Sequence, residues 1–241
     1  ALQALILLLF WRRAGIHYRP DFRWRGVGLA ATGKAAGWLF GMILVAQIAG
    51  VVQANVATLA TSDGEAGLAI LRFSWLLFMV PHSVITVSLA TAYFTRMSTH
   101  ASADDSPALR DDVNTSLRRI GSMMVLASVG LLTLAIPFAR LFGGESDQIE
   151  AMAAVLVAYA VGLVPFSLVF VMQRVYYALG DTRTPFVFQI VHAAVFIAVA
   201  MVASSQPSAA IASTLALGAS VASLVQFIVA FLLLRRRLGG L

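Results

Sequence analysis

Six apolar runs, each long enough to cross a bilayer, decide what this chain can fold into. They fall near 34–60, 66–96, 118–142, 149–173, 184–204 and 208–234. A helix rises 1.5 Å per residue, so about 20 apolar residues span the hydrocarbon core. Composition points the same way. Hydrophobic residues make up 60% of the chain and charged residues 12%. A soluble domain carries about 25% charge, because its surface must face water. The expected fold is all-α: a polytopic transmembrane helix bundle of six full spans. A seventh run, 1–11, is too short to span and reads as the end of a truncated transmembrane helix. The chain is therefore expected to be a fragment of a longer transporter.

The charges test this layout. Of seventeen Lys and Arg, all but Arg72 and Arg140 fall in alternate loops. One such segment, 12–33, holds five arginines together with Tyr18, Phe22 and Trp24, and Lys34 follows it. The others hold Arg96, Arg110, Arg118 and Arg119, then Arg174 and Arg183, then Arg235, Arg236 and Arg237. The intervening loops are acidic or neutral, with Asp63 and Glu65 in the first. Cations collect on the cytoplasmic side of a membrane protein, so both ends of the chain are expected to be cytoplasmic. A surface for nucleic acid would concentrate its cations on one face, and no such partner is expected. Segment 12–33 reads as an interfacial linker with arginines near anionic lipid and rings at headgroup level. Segment 98–117 reads as a solvated loop ending in a short amphipathic turn with Leu109, Val113 and Leu117 at helical spacing.

Within the spans, Gly33, Gly37 and Gly41 form a small-xxx-small ladder suited to close helix packing. Pro81, Pro137 and Pro165 each remove a backbone donor and are expected to kink their helices. Arg72 is the one arginine well inside a span. A charge at the bilayer centre costs about 2.5–3.5 kcal/mol on insertion scales. Two readings of Arg72 stand. It lines a cavity, where a cation suits a diphosphate. Alternatively it snorkels to the outer headgroups, about 9 Å of helix away. Gln47 and His82 are candidates for the same polar cavity. Gln53, Gln189, His192 and Gln226 also lie in spans, where such side chains commonly bond between helices. The histidines lack metal-ligand spacing and the chain has no cysteine, so neither a metal nor a cofactor is expected. No nucleophile elbow or phosphate-binding loop appears.

The conspicuous polar motif is Gly180-Asp181-Thr182-Arg183-Thr184-Pro185. Gly180 suits a helix stop, Asp181 a cap for the next helix, and Pro185 its first turn. Asp181 and Arg183 are placed to pair. With Ala158 to Leu163 and Arg174 to Leu179 before it, this stretch resembles the MurJ/MviN lipid II flippase family, within the superfamily of multidrug, oligosaccharidyl-lipid and polysaccharide exporters. Pro137 to Phe142 is similar to the matching end of the preceding span. Trp75 to Ser98, with Pro81 and Thr91, resembles the family's eighth helix.

The resemblance implies that 34–241 is a six-helix C-terminal lobe, with the N-terminal lobe and the last two helices absent. It implies a flippase of the bacterial cytoplasmic membrane. The substrate would be lipid II, the lipid-linked peptidoglycan precursor, moved by alternating access with no bond made or broken. The implied partners are that lipid, the surrounding membrane lipids and the missing lobe. Many family members carry an Asp-Arg pair before the proline of helix eight. Here Trp75 and Leu76 stand at those positions, and Arg72 lies one helical turn earlier. Two rivals remain: a flippase for another polyprenyl-diphosphate-linked polysaccharide, and a membrane enzyme acting on polyprenyl phosphates.

Overall fold

The structure, a computed structural model, describes residues 29–62, 67–142 and 144–240. Two compact units divide the chain, 1–34 and 35–241. Of the first, only the opening of one helix is described. The expected truncated helix at 1–11, the linker as far as residue 28, and the Asp63 and Glu65 loop lie outside the described residues.

Every regular element described is helical. In chain order they are α1 (Leu29–Ser62), α2 (Gly67–Pro81), a π-helical segment (His82–Val87), α3 (Ser88–Ser102), α4 (Ser106–Thr133), α5 (Ala135–Arg140), α6 (Ser146–Val161), α7 (Leu163–Ala178), α8 (Arg183–Ala203) and α9 (Ser208–Leu238). Four stretches are long and apolar enough to cross a membrane: Thr32–Ala60, the continuous rod Gly67–Ser102, α8 and α9. Helices α6 and α7, bent by 43° at their junction, qualify together as a fifth. The run near 118–142 is divided at Leu134 between α4 and α5, and α4 by itself does not meet the same measure. The all-α transmembrane fold is as expected. The count of six spans rests, at that stretch, on the sequence.

Two of the three prolines fall at helix breaks, and the third, Pro81, lies within the continuous stretch Gly67–Ser102. A proline ring clashes with the carbonyl four residues back and leaves it without a donor. Four residues before Pro137 is Thr133, the last residue of α4. Four residues before Pro165 is Val161, the last residue of α6. Pro81 ends α2 and opens directly into the wider π segment. Lipid offers no water to the carbonyls freed in this way, so neighbouring side chains must take them. Around the α6–α7 break, Ser220 of α9 donates to the Ala158 carbonyl at 2.5 Å and Ser128 of α4 to the Ala160 carbonyl at 2.7 Å.

Helix α9 packs on α8, α6, α7 and α2. Small residues make this close contact possible, because helices in lipid associate by backbone approach rather than by hydrophobic exclusion. A Cβ built on Gly162 would stand 2.5 Å from Ser220 Oγ and 2.7 Å from Ser220 Cα. One on Gly218 would meet Val199 Cγ1 at 2.7 Å. The glycine ladder of α1 behaves differently. A Cβ at Gly41 would touch the Phe186 ring at 3.0 Å, while Gly33 and Gly37 meet nothing within 4 Å among the described residues.

The expected loop at 98–117 is mostly helical. Helix α3 continues to Ser102, and α4 begins at Ser106, capped by Asp105, which accepts from the Ala108 amide at 3.1 Å. Pro107 sits in that first turn, where a missing N–H costs nothing. The amphipathic turn is thus the start of a long helix, and Leu109 and Val113 are buried. The rod Gly67–Ser102 has 36 residues, about 54 Å of helix, against a hydrocarbon core of about 30 Å. The rod is thus longer than the core is thick, and its Ser102 end carries Arg96 and His100. Asp112, buried on α4, receives Arg96 at 2.6 Å and His100 at 3.3 Å. Arg96 and His100 of α3 thus clip the two helices together near the turn that joins them.

Gly162→Ala in the full-length protein is expected to lower its melting temperature in detergent. Forcing a methyl into a packed contact costs about 1–3 kcal/mol. Gly130→Ala, at a site with no atom within 4 Å, should leave it unchanged or raise it, and equal losses at both sites would contradict the close approach described.

Candidate functional site

Between α1, α2 and α8 lies a cavity of about 650 Å³. Its walls are largely apolar, formed on the α1 side by small residues such as Ala46, Ala49 and Gly50. Helix α1 meets the bundle through side chains at a few points, among them Trp38 against the Phe186 ring, with centroids 5.2 Å apart. Gln53 reaches across and donates to the Tyr159 hydroxyl at 3.3 Å. Small residues on one wall with a long side chain bridging to the other leave the space open.

Arg72 lines this cavity. Among the described residues no carboxylate lies within ion-pair distance of it, so its guanidinium is available to an anion. Every described Asp and Glu lies in or next to a connection between helices, at 104–112, 145–150 and 181. Gln189 and His192, one turn apart on α8, also face the cavity. Gln189 accepts from Gln226 of α9 at 3.2 Å. His192 stands beside Gln226 and the Ala222 carbonyl, but its Nδ1 is buried without a completed hydrogen bond.

The other two candidates stand elsewhere. Gln47 is exposed on α1 and is not among the lining residues. Gln53, roughly two turns further on, takes the inward position. His82 is buried in the π segment, with its Nδ1 3.0 Å from Ser167 Oγ and its ring against Phe166 and Phe170. The extra residue per turn that a π segment inserts re-aims side chains, and His82 points into α7. Gln53, Gln189 and His192 carry no motif. Only knowledge of which way each helix is turned would have selected them.

The Gly180 turn folds as its residues dictate. Gly180 has φ +71°, a left-handed conformation that glycine adopts without strain. The Asp181 amide bonds back to the Tyr176 carbonyl at 2.9 Å and the Gly180 amide to Tyr177 at 3.0 Å, a complete Schellman stop. Asp181 then caps α8. Its Oδ1 accepts from the amides of Arg183 and Thr184 at 2.9 and 3.0 Å, and its Oδ2 from the Thr184 hydroxyl at 2.7 Å. Thr182 is the boundary residue and makes no side-chain cap. Pro185 lies in the first turn of α8 and is buried. The Arg183 guanidinium does not pair with Asp181. It lies over the Trp38 ring, 5.8 Å from its centroid. Desolvation alone would raise the Asp181 carboxyl. The three hydrogen bonds and the charge of Arg237 outweigh it and hold the group below its ordinary value.

A family model described as Lipid II flippase MurJ matches residues 1–241. The chain belongs to the MurJ lipid II flippase family. A probable lipid II flippase MurJ from Thermotoga maritima is 26% identical over 240 residues, which is 98% of this chain and 47% of that protein. Another from Vibrio cholerae is 25% identical over 192 residues, 76% of this chain and 35% of that protein. Among solved structures, a lipid II flippase MurJ in an inward closed conformation superposes with a TM-score of 0.71 at 19% identity, over 97% of this chain and 49% of that one. A MATE transporter in a straight conformation gives 0.80 at 15% identity, over 99% of this chain and 54% of that one. At such identities the structural likeness shows the fold. The chain spans about half the length of the relatives it matches.

In this MurJ-family chain the Asp181 cap carries a pH signature. A carboxyl whose folded value is depressed contributes stability above its unfolded value, and loses it as pH falls through the folded one. Asp181→Ala is expected to cost about 1 kcal/mol at neutral pH. Thermal melts of the two proteins should converge as pH drops below the ordinary carboxylate range. A gap that persists undiminished in acid would contradict a cap made by the ionised side chain.

Proposed function

We propose that the full-length protein moves lipid II across the bacterial cytoplasmic membrane by alternating access, and that this chain is its C-terminal lobe. Family membership over the whole chain, at about half the length of its relatives, supports the two-lobe reading. On this reading 1–11 ends the preceding lobe, 12–33 links the two, and 34–241 supplies six spans with both ends in the cytoplasm. The carrying observation is the cavity. Its lining includes Arg72, which has no carboxylate partner among the described residues, together with apolar walls and neutral hydrogen-bonding groups.

The chemistry follows from what such a cavity costs and offers. Arg72 in contact with lipid would be expensive. Facing a cavity, it becomes a site for a diphosphate, which accepts charge-assisted hydrogen bonds from a guanidinium. The cavity accepts the headgroup while the polyprenyl tail stays in lipid, its natural solvent. Rocking of one lobe against the other then carries the headgroup past the apolar barrier. Breaks at Leu134 and Gly162 supply places where the helices of the lobe can flex. The polar work expected of Gln47 and His82 falls to Gln53, Gln189 and His192. No bond is made or broken, so the activity is transport and not catalysis.

The test is rescue of a bacterial strain depleted of its own lipid II flippase, using the full-length gene. Rescue is expected, and Arg72→Gln should reduce the transport rate about tenfold or more at equal membrane expression. Failure of the unaltered gene despite good expression would favour a flippase for a different polyprenyl-diphosphate-linked glycan.

A further inference from the structure

The cavity's lining is unusual for a site that only binds a diphosphate. One cation suffices for an anion, yet four neutral hydrogen-bonding groups converge on the same space: Gln53, Tyr159, Gln189 and His192. Two hold each other across the opening and one is anchored to α9. The fourth, His192, lines the same space and stands beside Gln226 and the Ala222 carbonyl. Beside them stands Trp75, 36% exposed. Its ring is fixed before any ligand arrives. Phe78 stacks on it at 5.0 Å, and Tyr159 and Phe166 meet it edge-on at 5.6 and 5.8 Å. A rigid aromatic platform of this kind loses little entropy when a ligand packs on it.

The ligand that matches this set is apolar on its faces and polar around its rim. A pyranose ring has that character, with axial C–H groups above and below and hydroxyl or acetamido groups at the edge. An organic cation does not fit, since the described lining offers Arg72 and no carboxylate. A purely hydrocarbon ligand would leave the remaining hydrogen-bonding capacity of Gln53 and Gln189 unmet. The volume, about 650 Å³, falls in the range of about 300–1,000 Å³ typical of ligand sites.

Resting on the flippase reading above, we infer that this lobe holds the sugar of the lipid-linked substrate, with a pyranose face against Trp75 and its polar edge on Gln189 and His192, while Arg72 meets the diphosphate. Sugar recognition thus lies with Trp75 and the amides, and anion recognition with Arg72. The two functions are separable by substitution.

The test measures binding of two labelled lipids to the full-length protein in nanodiscs: a polyprenyl diphosphate bearing an N-acetylhexosamine, and the same polyprenyl diphosphate without sugar. Trp75→Leu and Gln189→Leu should each weaken the sugar-bearing lipid about tenfold or more and leave the sugar-free lipid within about threefold. Trp75→Phe, which keeps a flat ring and preserves the packing on Phe78, should retain most of the affinity and guards against loss of fold. Arg72→Gln should weaken both lipids. Equal weakening of both lipids by Trp75→Leu would overturn the inference, since the ring would then only shape the cavity. So would unchanged binding of the sugar-bearing lipid. If the unaltered protein binds neither lipid, the flippase reading itself fails and the sugar site falls with it.

Discussion

Lipid has no hydrogen bonds to lend. Every carbonyl, amide or cation within the hydrocarbon must find its partner inside the protein or face a polar cavity. Much of this structure follows from that rule. Pro137 and Pro165 free the carbonyls of the residues that end α4 and α6. Serines from α9 and α4 bond to other carbonyls beside the Gly162 break. Near the Ser102 end of the long α2–α3 rod, Arg96 and His100 meet Asp112. Arg72, exposed in the second turn of α2, lies against a cavity.

The same rule separates what is rigid from what is open. Around Gly162, Ser220 and Gly218, the helices approach so closely that a methyl group would not fit. Across the cavity the contact is thin: small residues on α1, and one amide reaching to one phenol. A tight bundle of α9 with α6, α7 and α8 therefore carries a more loosely attached α1 on its flank, and the ligand-sized space lies between them. Tight packing holds Trp75 and Tyr159 in place, while the looser side leaves the space open.

Much of this was legible in the sequence. Apolar run lengths located the long helices, and the Gly180 turn folds as its residues imply, from the left-handed glycine to the Asp181 cap. Pro137 and Pro165 marked the breaks because their chemistry is local. What escaped was the phase of each helix. Gln47 and Gln53 look alike as polar residues in a span, yet only one faces inward. His82 points to Ser167 because a π segment, which has no clear sequence signal, turns it there. Segment 98–117 looked like a solvated loop for a related reason. Its polar residues cover two helix ends, where the backbone stays helical. Arg183 was placed to pair with Asp181, but the cap had already used that carboxylate, and the guanidinium found the Trp38 ring instead.

The central claim, that the headgroup of a lipid-linked precursor occupies the space beside Arg72, is tested most directly by photocrosslinking. A photoreactive side chain is placed at Ala54, which lines the cavity, or at Leu126, which is 75% exposed on α4. Full-length protein carrying each is illuminated in membranes that contain lipid II labelled on its headgroup. The account predicts labelling from position 54 that excess unlabelled lipid II abolishes, and only weak, non-competable labelling from position 126. Equal, non-competable labelling at both positions would contradict it.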